Sequence, residues 1–350
     1  LFAVDGGMVE GRTPVALIAN GGYGRGELNP HSDVDVLFLH NLPAGARREA
    51  LHAAVQRVLY LLWDLGLKVG HSTRTPAEAY ATANEDLQTK TALMEARLVC
   101  GSASLFEQFQ RDFVERCITG REEAYIDWRI EDQAARHAKE GASVFLQEPN
   151  IKQSCGGLRD VHNLLWVAYC WKRIRTTQGL VDEGVLARAE RRQVERAYDF
   201  LMRVRNEAHF VCERPNDQLT LSLQGQVATG LGYSARTPVL RVEAFMRDYY
   251  RAAQDIFFLT NAVAARMAAS RKGKRGLLTR LLRARTSKVE HEDGFIIRDG
   301  VIDIDTKASV FTADPSRLLG VFLMAQRRNL DLSFDLQRRI RRRLHMLDWK

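Results

Sequence analysis

The sequence predicts an α+β protein with a small mixed sheet, a longer helical region and a final β-hairpin with a helix. Near the N-terminus, two apolar strands flank a glycine-rich stretch. Helical apolar periodicity then dominates to about residue 285. Close to the end, two short alternating segments surround Asp299-Gly300, which is a strong hairpin signal. We therefore expect three parts, covering residues 1–101, 102–285 and 286–350.

The first part contains strands and helices in alternation. Gly66 is expected to stop the first helix, and Thr75-Pro76-Ala77-Glu78 forms a capping box that starts another. The predicted elements are strands over 14–19, 33–40 and 67–73 and helices over 47–65 and from residue 75 onward.

The second part is mainly helical. One irregular stretch, GASVFLQEPNIKQSCGGLRD at 141–160, has the proline, glycines and mixed charges of an ordered loop. The predicted helices cover 102–119, 121–140, 188–211 and 237–267, with another starting at Gly157–Leu158; a last helix over 318–327 follows Asp314-Pro315-Ser316.

The composition is typical of a soluble globular protein. Of 350 residues, 45% are hydrophobic and 27% are charged, and no apolar run approaches the roughly 18 residues that span a bilayer. The five cysteines are scattered and lack metal-ligand spacing, so we expect reduced thiols and a cytoplasmic location. The chain begins at Leu1 without a basic-then-apolar leader, and we expect it to be part of a longer protein.

The net charge of +8 is concentrated in two basic clusters, at 271–285 and 338–343. Such clusters attract nucleic acid, nucleotides or acidic partners. Because aromatic residues do not interleave with the basic ones, solvated or linker segments are favoured over a nucleic-acid site.

The most informative stretch is LIANGGYGRGELNPHSDVDVLFLH at 17–40. Because side chains alternate along a strand, Asp33 and Asp35 point to the same side, about 7 Å apart. Two carboxylates that close repel each other unless a cation lies between them, and Mg²⁺ combines one or two carboxylates with phosphate oxygens and water. Adjacent glycines let backbone N–H groups approach a phosphate. Each motif alone is weak, but together they predict a metal-assisted nucleotidyl-transfer site.

Two other nucleotide-binding motifs do not fit this stretch. A Walker A loop is excluded because no Gly-Lys-Ser/Thr follows the glycines. A dinucleotide fingerprint is disfavoured because a proline and the paired acids come too soon after the glycines.

Several residues farther along remain open between a functional and a structural role. Lys152 and Arg159, in the loop at 141–160, are candidates to contact a triphosphate or the aspartate pair; two solvated charges are the alternative. His162 and His209 are expected to be buried or capping histidines rather than catalytic ones. Trp166 and Trp171 are expected in the core or an interface.

Three blocks of the chain together resemble the bacterial PII-protein uridylyltransferase/uridylyl-removing enzymes of nitrogen control. GGYGRGELNPHSDVDVLFL is similar to their nucleotidyltransferase signature, of the DNA polymerase β type. EPNIKQSCGGLRDVHNLLWVA is similar to a second, narrower signature. RVRNEAHFVCERPNDQLTLSLQ, followed by LGY and AFMRDYYRAAQDI, is similar to a third block. The resemblance covers essentially the whole chain.

The resemblance implies a polymerase β-like domain that moves UMP from UTP to a tyrosine of the PII protein and releases pyrophosphate. Asp33 and Asp35 would be the catalytic pair and would hold Mg²⁺, with Mn²⁺ as a possible substitute. The family continues into HD phosphohydrolase and ACT domains that this sequence does not reach, so the transferase half is expected here. The nucleotide-binding residues implied are Gly21, Gly22, Gly24, Arg25 and Ser32.

One departure from polymerase β-like enzymes concerns the acid that activates the nucleophile. Such enzymes usually carry a third acid on a neighbouring strand, whereas the strand at 67–72 has a lysine and a histidine, Lys68 and His71. A phenol, with a pKa near 10, is easier to deprotonate than a sugar hydroxyl. His71 or the distant Asp86 is a candidate substitute.

Two other functions stay open at this stage. One is a different nucleotidyltransferase, either of the type that adenylylates glutamine synthetase or of the aminoglycoside type, because the uridine base rests on the resemblance alone. The other is a non-catalytic regulatory module that binds nucleotide through a remnant aspartate pair.

Overall fold

The computed structural model describes residues 15–275, 290–298, 300–304 and 310–347. They belong to two compact units, residues 1–260 and 261–350. The predicted boundaries after residues 101 and 285 stay predictions.

The first unit begins with a four-stranded mixed sheet in the order β3-β2-β1-β4. Strand β2 is antiparallel to β1 and parallel to β3, and β4 is antiparallel to β1. The first three strands match the predicted ones, whereas the fourth was not predicted. Their bounds are β1, Val15–Ala19; β2, Val34–His40; β3, Val69–Arg74; and β4, Arg97–Gly101.

Strand β2 is buried deeply at its carboxyl end and is exposed where it carries the acids. Val36 and Phe38 pack with Leu51, Val55 and Leu59 of the first long helix in a single apolar cluster. Leu37 and Leu39, on the other face, are also buried. The alternation therefore places the aspartates opposite the face that packs against that helix.

Short helices connect the strands, and longer ones follow the sheet. The helix predicted from residue 75 is two helices, the first of which has the predicted capping box at Thr75 and Glu78. The helices of the sheet region are α1, Gly21–Arg25; α2, Ala46–Asp64; α3, Pro76–Glu85; and α4, Leu87–Met94.

Five of the remaining helices, α5, α6, α7, α9 and α11, agree with predicted ones, whereas α8 and α10 were not predicted. A five-residue π-helical segment, Val114–Ile118, extends α5. The bounds are α5, Ala103–Phe113; α6, Glu122–Lys139; α7, Leu158–Lys172; α8, Thr177–Asp182; α9, Arg188–Cys212; α10, Leu221–Gly230; and α11, Pro238–Arg275, which continues past the division at residue 260.

The helical core lies among α7, α9, α10 and α11. Its largest fully buried side chains include Phe245 and Tyr249, packed with Leu158, Leu201 and Val227. Trp166 is buried, as predicted.

The second unit contains the predicted hairpin in a larger sheet. Strands β6 and β7 pair in antiparallel register from Arg298↔Val301 to Phe295↔Ile304, which confirms the hairpin, although Asp299 lies outside the described residues. Two short strands that were not predicted extend it in the order β5-β6-β7-β8. The bounds are β5, Glu290–Glu292; β6, Phe295–Arg298; β7, Val301–Ile304; β8, Asp331–Leu332; α12, Val310–Ala313; α13, Arg317–Arg328; and α14, Phe334–Arg343, followed by a 3₁₀ turn at Leu344–Met346.

Three composition-based expectations can be compared with the described chain. All five cysteines lie within it and are free thiols. None of its helices combines the length and apolar composition that a membrane crossing requires. Most of the basic cluster at 271–285 lies outside the described residues, and the other, at 338–343, is in α14.

Candidate active site

The aspartate pair lies at the start of β2, on the exposed face of the sheet. Asp33 directly precedes the strand, and Asp35 is its second residue; both side chains are exposed. Partial burial and the neighbouring charge of Asp33 raise the pKa of Asp35, while the positive charge of Lys152 opposes this. The pair is therefore a site of carboxylate repulsion that a bound cation would relieve.

Two glycines leave space beside the carboxylate of Asp35. Gly21 has a φ of 55°, and a Cβ atom there would lie 3.3 Å from Asp35 Oδ2. Gly70 is opposite Asp35 on β3, and its added Cβ would collide with Asp35 Oδ1. Any other residue at position 70 would push the carboxylate out of place.

The glycine-rich stretch, to which no helix was assigned from the sequence, forms a single helical turn, α1. The Gly24 amide donates to Asn20 O at 2.9 Å, and Gly26, with a φ of 74°, ends the helix. Gly24 packs so closely on Ala19 and Glu95 that a Cβ atom would collide with both carbonyl oxygens. This packing holds the helix start, whose first N–H groups have no intrahelical acceptor, next to Asp35.

The other three residues implied to bind nucleotide are Arg25, Ser32 and Gly22, of which the first two form polar contacts within the protein. Arg25 forms ion pairs with Glu27 at 2.8 Å and with Glu95 at 2.7 Å. Ser32 lies in the turn before Asp33, where its amide donates to Asn29 O at 3.1 Å. Gly22 is uncrowded, with Arg25 Nη2 as its nearest neighbour at 3.7 Å from an added Cβ.

The loop that carries Lys152 is fixed by a second segment of the chain. Asn150 pairs with Gln218 in an isolated β-bridge. The Ile151 amide donates to Asp217 O at 2.8 Å, and the Leu219 amide donates to Pro149 O at 2.9 Å. The second and third sequence blocks therefore meet at the site, and the loop is ordered as predicted.

Lys152 lies in a concentration of positive charge that faces Asp35. Burial, followed by the charges of Arg159 and Arg205, lowers the pKa of Lys152 to about 8. Burial and the charge of Arg25 lower the pKa of Arg159 to about 10. Of the two predicted basic residues, Lys152 is thus near enough to act on Asp35, and Arg159 is near Lys152, in a setting that a polyanion would stabilise.

Arg159 is also held by an aromatic ring. Its guanidinium lies over Trp166, 5.2 Å from the ring centroid. The next residue, Asp160, is fully buried and accepts hydrogen bonds from Arg136 Nη2 of α6 at 2.5 Å and from the Gly156 amide at 2.8 Å. These bonds hold the start of α7 to α6 and to the preceding loop.

The segment between α1 and β2 is held to α9 by hydrogen bonds. Asn29 donates to Asn206 at 2.6 Å and accepts from Arg205. His209 bonds to the carbonyl of Pro30, and Arg205 pairs with Asp217 at 2.6 Å. His209 is therefore a buried structural histidine, as predicted.

Glu27, Tyr198 and His162 form a second connection between the sheet region and the helices. The Tyr198 hydroxyl donates to Glu27 at 2.7 Å and lies 2.8 Å from His162 Nε2. Because that hydroxyl has one proton, His162 donates through Nε2, and its buried Nδ1 has no hydrogen-bond partner in the described part of the chain. Complete burial and nearby cations, Arg25 foremost, lower the pKa of His162, so its ring is neutral.

The two candidate substitutes for a third acid lie away from the aspartate pair. His71 pairs with Val36 and faces Trp63 of α2, on the opposite side of the sheet from Asp35. Asp86 caps α4, where it accepts from the amides of Gln88 and Thr89 at 3.1 and 2.7 Å. The residues of 68–72 that share the Asp35 face are Lys68, Gly70 and Ser72, so this part of the strand has no acid there.

Sequence analysis missed several residues of this site: Glu27, Glu95, Tyr198, Arg205 and Asp217. Glu27, Arg205 and Asp217 lie inside the quoted blocks, so their clustering within those blocks was the available signal, whereas Glu95 and Tyr198 lie outside them. Within the described residues, no group of three or more His, Cys, Asp or Glu side chains could hold a metal ion. A cation at Asp33 and Asp35 would therefore need ligands from substrate and water.

The mixed sheet carries paired aspartates beside the start of α1, and the basic residue Lys152 lies near them. This arrangement defines a nucleotidyltransferase domain. A family model described as a nucleotidyltransferase domain matches residues 9–99. A second, described as GlnD PII-uridylyltransferase, matches residues 124–264. The chain belongs to the family of PII-uridylyltransferase/uridylyl-removing enzymes.

Curated relatives agree along nearly the whole chain. It is 35% identical over 343 residues to a protein of Bradyrhizobium sp. (strain ORS 278), and 34% identical over 338 residues to one of Rhodopseudomonas palustris. Both are named bifunctional uridylyltransferase/uridylyl-removing enzyme. The matches cover 97% and 95% of this chain but 36% of each relative.

Proposed function

We propose that this chain transfers UMP from UTP to a tyrosine of a PII signalling protein and releases pyrophosphate, in the control of nitrogen assimilation. The observation that carries the proposal is the position of Lys152, whose positive charge acts on Asp35 across the candidate site and opposes the rise in the pKa of Asp35 that burial and Asp33 cause. Paired carboxylates facing a cationic cluster suit a metal-bound triphosphate. The uridylyl group and the PII acceptor are taken from the family to which the chain belongs.

The aspartate pair fits a Mg²⁺ or Mn²⁺ ion. Both carboxylates are on one face and exposed, the pKa of Asp35 is raised by burial and by Asp33, and Gly21 and Gly70 leave the carboxylate of Asp35 unobstructed. When bound, the metal would neutralise charge that develops on the transferred phosphoryl group and on the leaving pyrophosphate.

The chain's own residues bind and orient the nucleotide. Lys152 and Arg159 attract the triphosphate, and their position relative to Asp35 directs the α-phosphate toward the pair. In the reaction, the phenolic oxygen of the acceptor forms a bond to the α-phosphorus while the bond to the bridging oxygen of the pyrophosphate breaks. The phenolic proton leaves to solvent or buffer, because β3 presents no acid on this face.

Labelled nucleotides test the function directly. We expect transfer of label from α-labelled UTP, but not from ATP, to the tyrosine of a PII protein in the presence of Mg²⁺. Transfer from ATP in preference to UTP would exclude the uridylyl assignment and favour an adenylyltransferase. No transfer from either, with nucleotide still bound, would indicate the non-catalytic module.

Variants of the pair test the site. Asp33→Asn and Asp35→Asn should each reduce transfer by a factor of at least about 10³, since charge stabilisation by metal supplies several kcal/mol. Asp199→Asn, at a largely exposed aspartate of α9, is the matched control and should leave transfer unchanged. If transfer survives in the Asp33→Asn/Asp35→Asn double variant, the assignment of the pair is wrong.

A further inference from the structure

The free edge of β3 lies one strand away from Asp35. In the parallel β2–β3 pairing, Val34 is opposite Val69, and its amide donates to Lys68 O at 2.8 Å. Val69, His71 and Thr73 therefore direct their backbone N–H and C=O groups away from β2. Within the described residues, no strand pairs with that outer edge. Such an edge is a template for another strand.

Because Gly70 has no side chain, it leaves space between the outer edge of β3 and the carboxylate of Asp35. It is opposite Asp35, is exposed, and lies on the same face as the carboxylates. A strand added outside β3 would lie about 5 Å from β3 and about 10 Å from β2. A tyrosine opposite Gly70 could extend across the glycine toward Asp35, whereas a short side chain would stop above β3.

The other face of the same edge carries exposed aromatic and aliphatic side chains. The Trp63 ring lies 6.3 Å from that of His71 and 5.6 Å from that of Tyr60, centroid to centroid. Leu65 is 74% exposed. Because neighbouring residues of a strand point to opposite faces, the residues on either side of a tyrosine opposite Gly70 would meet Trp63 and Tyr60.

Charge restricts the kind of segment that fits. Residues 68–74 contain Lys68, His71 and Arg74 and no acid. They suit a neutral or acidic segment and disfavour a basic one.

We propose that the tyrosine-bearing segment of the acceptor protein binds as an added strand on the free edge of β3. The tyrosine lies opposite Gly70 and crosses it toward Asp35, and apolar neighbours contact Trp63. Backbone hydrogen bonds supply affinity, and the alternating side chains supply specificity. This inference rests on the proposed function, since it takes the acceptor to be a protein tyrosine.

Amide hydrogen exchange tests the binding without depending on transfer. On addition of a PII protein without nucleotide, the amides of Val69, His71 and Thr73 should exchange at least about tenfold more slowly, while those of Gly70 and Ser72, already bonded to β2, should change little. Unchanged exchange at the three outward amides overturns the proposal. The proposal is also overturned if, without PII, the protection of these amides increases with the concentration of this chain, because the occupant of the edge is then a second copy.

Two substitutions at one residue separate docking from catalysis. His71→Pro removes the outward N–H without affecting the β2–β3 hydrogen bonds, and His71→Ala keeps that N–H. The KM for PII should rise about tenfold in His71→Pro relative to His71→Ala, with the KM for UTP equal in both. Trp63→Ala, which leaves the backbone intact, should also raise the KM for PII.

The outcomes distinguish this inference from the function it rests on. Transfer to PII with equal KM values in the two His71 variants overturns the docking and leaves the function standing. Protection of the outward amides by PII, without any transfer from UTP, overturns the function and leaves the docking standing.

Discussion

Glu95 Oε1 accepts hydrogen bonds from Arg25 Nη1 at 2.7 Å and from Trp166 Nε1 at 2.6 Å. The side chain of Glu95 is 8% exposed, so this carboxylate joins α1 to α7 in the interior. The backbone of Glu95 also forms the surface on which Gly24 packs. The helix start beside Asp35 is thus positioned by a residue that precedes β4 and was not predicted.

Loss of the Glu95 carboxylate should therefore destabilise the protein strongly. Glu95→Ala leaves Trp166 Nε1 without its acceptor and Arg25 with Glu27 alone, and it should lower the free energy of unfolding by about 3 kcal/mol. Glu95→Gln keeps an acceptor oxygen and should cost about half as much. Denaturant unfolding measures both values. Equal losses in the two variants would contradict this expectation, because they would show that an uncharged acceptor of the same volume restores nothing and that the charge of Glu95 accounts for the whole effect.

Asp86 should prove to be a helix cap rather than a catalytic base. Asp86→Ala removes the acceptor for two amides of α4 and should cost about 1 kcal/mol, whereas Asp86→Asn, a good capping residue, should cost less. Thermal unfolding measures the difference. The kcat for transfer should be unchanged in both variants at a temperature where both are folded; a large fall in kcat for Asp86→Asn would instead support a role as base.

Local patterns were sufficient to predict the elements that carry the candidate site. Strict alternation around Asp33 and Asp35 specifies which face they share, and the capping box at Thr75 starts α3 as predicted. The sequence did not predict a helix in the glycine stretch because glycine has a low helix propensity. Its helical turn depends on packing against Glu95, about 70 residues away in the chain.

Long-range pairing explains the rest of what sequence analysis missed. The loop at 141–160 could be predicted to be ordered. Its β-bridge to Gln218 could not, because nothing in either segment indicates that the two pair. Likewise, Tyr198 looks like an ordinary helical residue until the fold brings its hydroxyl to Glu27. Strand β4 was missed because its five residues, RLVCG, are too few to show the alternation of a strand.

Asp217 should make the stability depend on pH in the acid range. Burial opposes its ionisation, but hydrogen bonds from His209 and Arg205 outweigh that effect and hold the pKa of Asp217 well below its usual value near 3.9. A lowered carboxyl pKa stabilises the folded state above the unfolded-state pKa, and that stability is lost as the pH falls toward the folded-state pKa.

Asp217→Asn should therefore be less stable than the parent protein at pH 7, by about 2 to 3 kcal/mol, and the difference should shrink below about pH 4. Urea unfolding at pH 7, 5 and 3 measures it. Asp199→Asn, at an exposed ion pair, is the control and should change stability little at any of these values. A constant difference between the Asp217→Asn variant and the parent at all three pH values would contradict the linkage.

Lys152 should make UTP affinity fall with rising pH near the upper end of the physiological range. Its pKa of about 8 means that the free protein carries the Lys152 charge at pH 7 and has largely lost it at pH 9. Because the charged form attracts the triphosphate, affinity should decline across this interval. Bound UTP stabilises the ammonium form, so binding at pH 8 to 9 should take up a proton.

The matched variant is Lys152→Arg, whose guanidinium stays charged throughout this interval. Its affinity for UTP with Mg²⁺ should be nearly constant from pH 7 to 9, whereas that of Lys152→Gln should be weaker and also constant. Isothermal titration calorimetry in buffers of different ionisation enthalpy measures the affinity and the proton uptake together. If the parent and Lys152→Arg lose affinity in parallel, the titrating group is another residue and Lys152 does not contact the triphosphate.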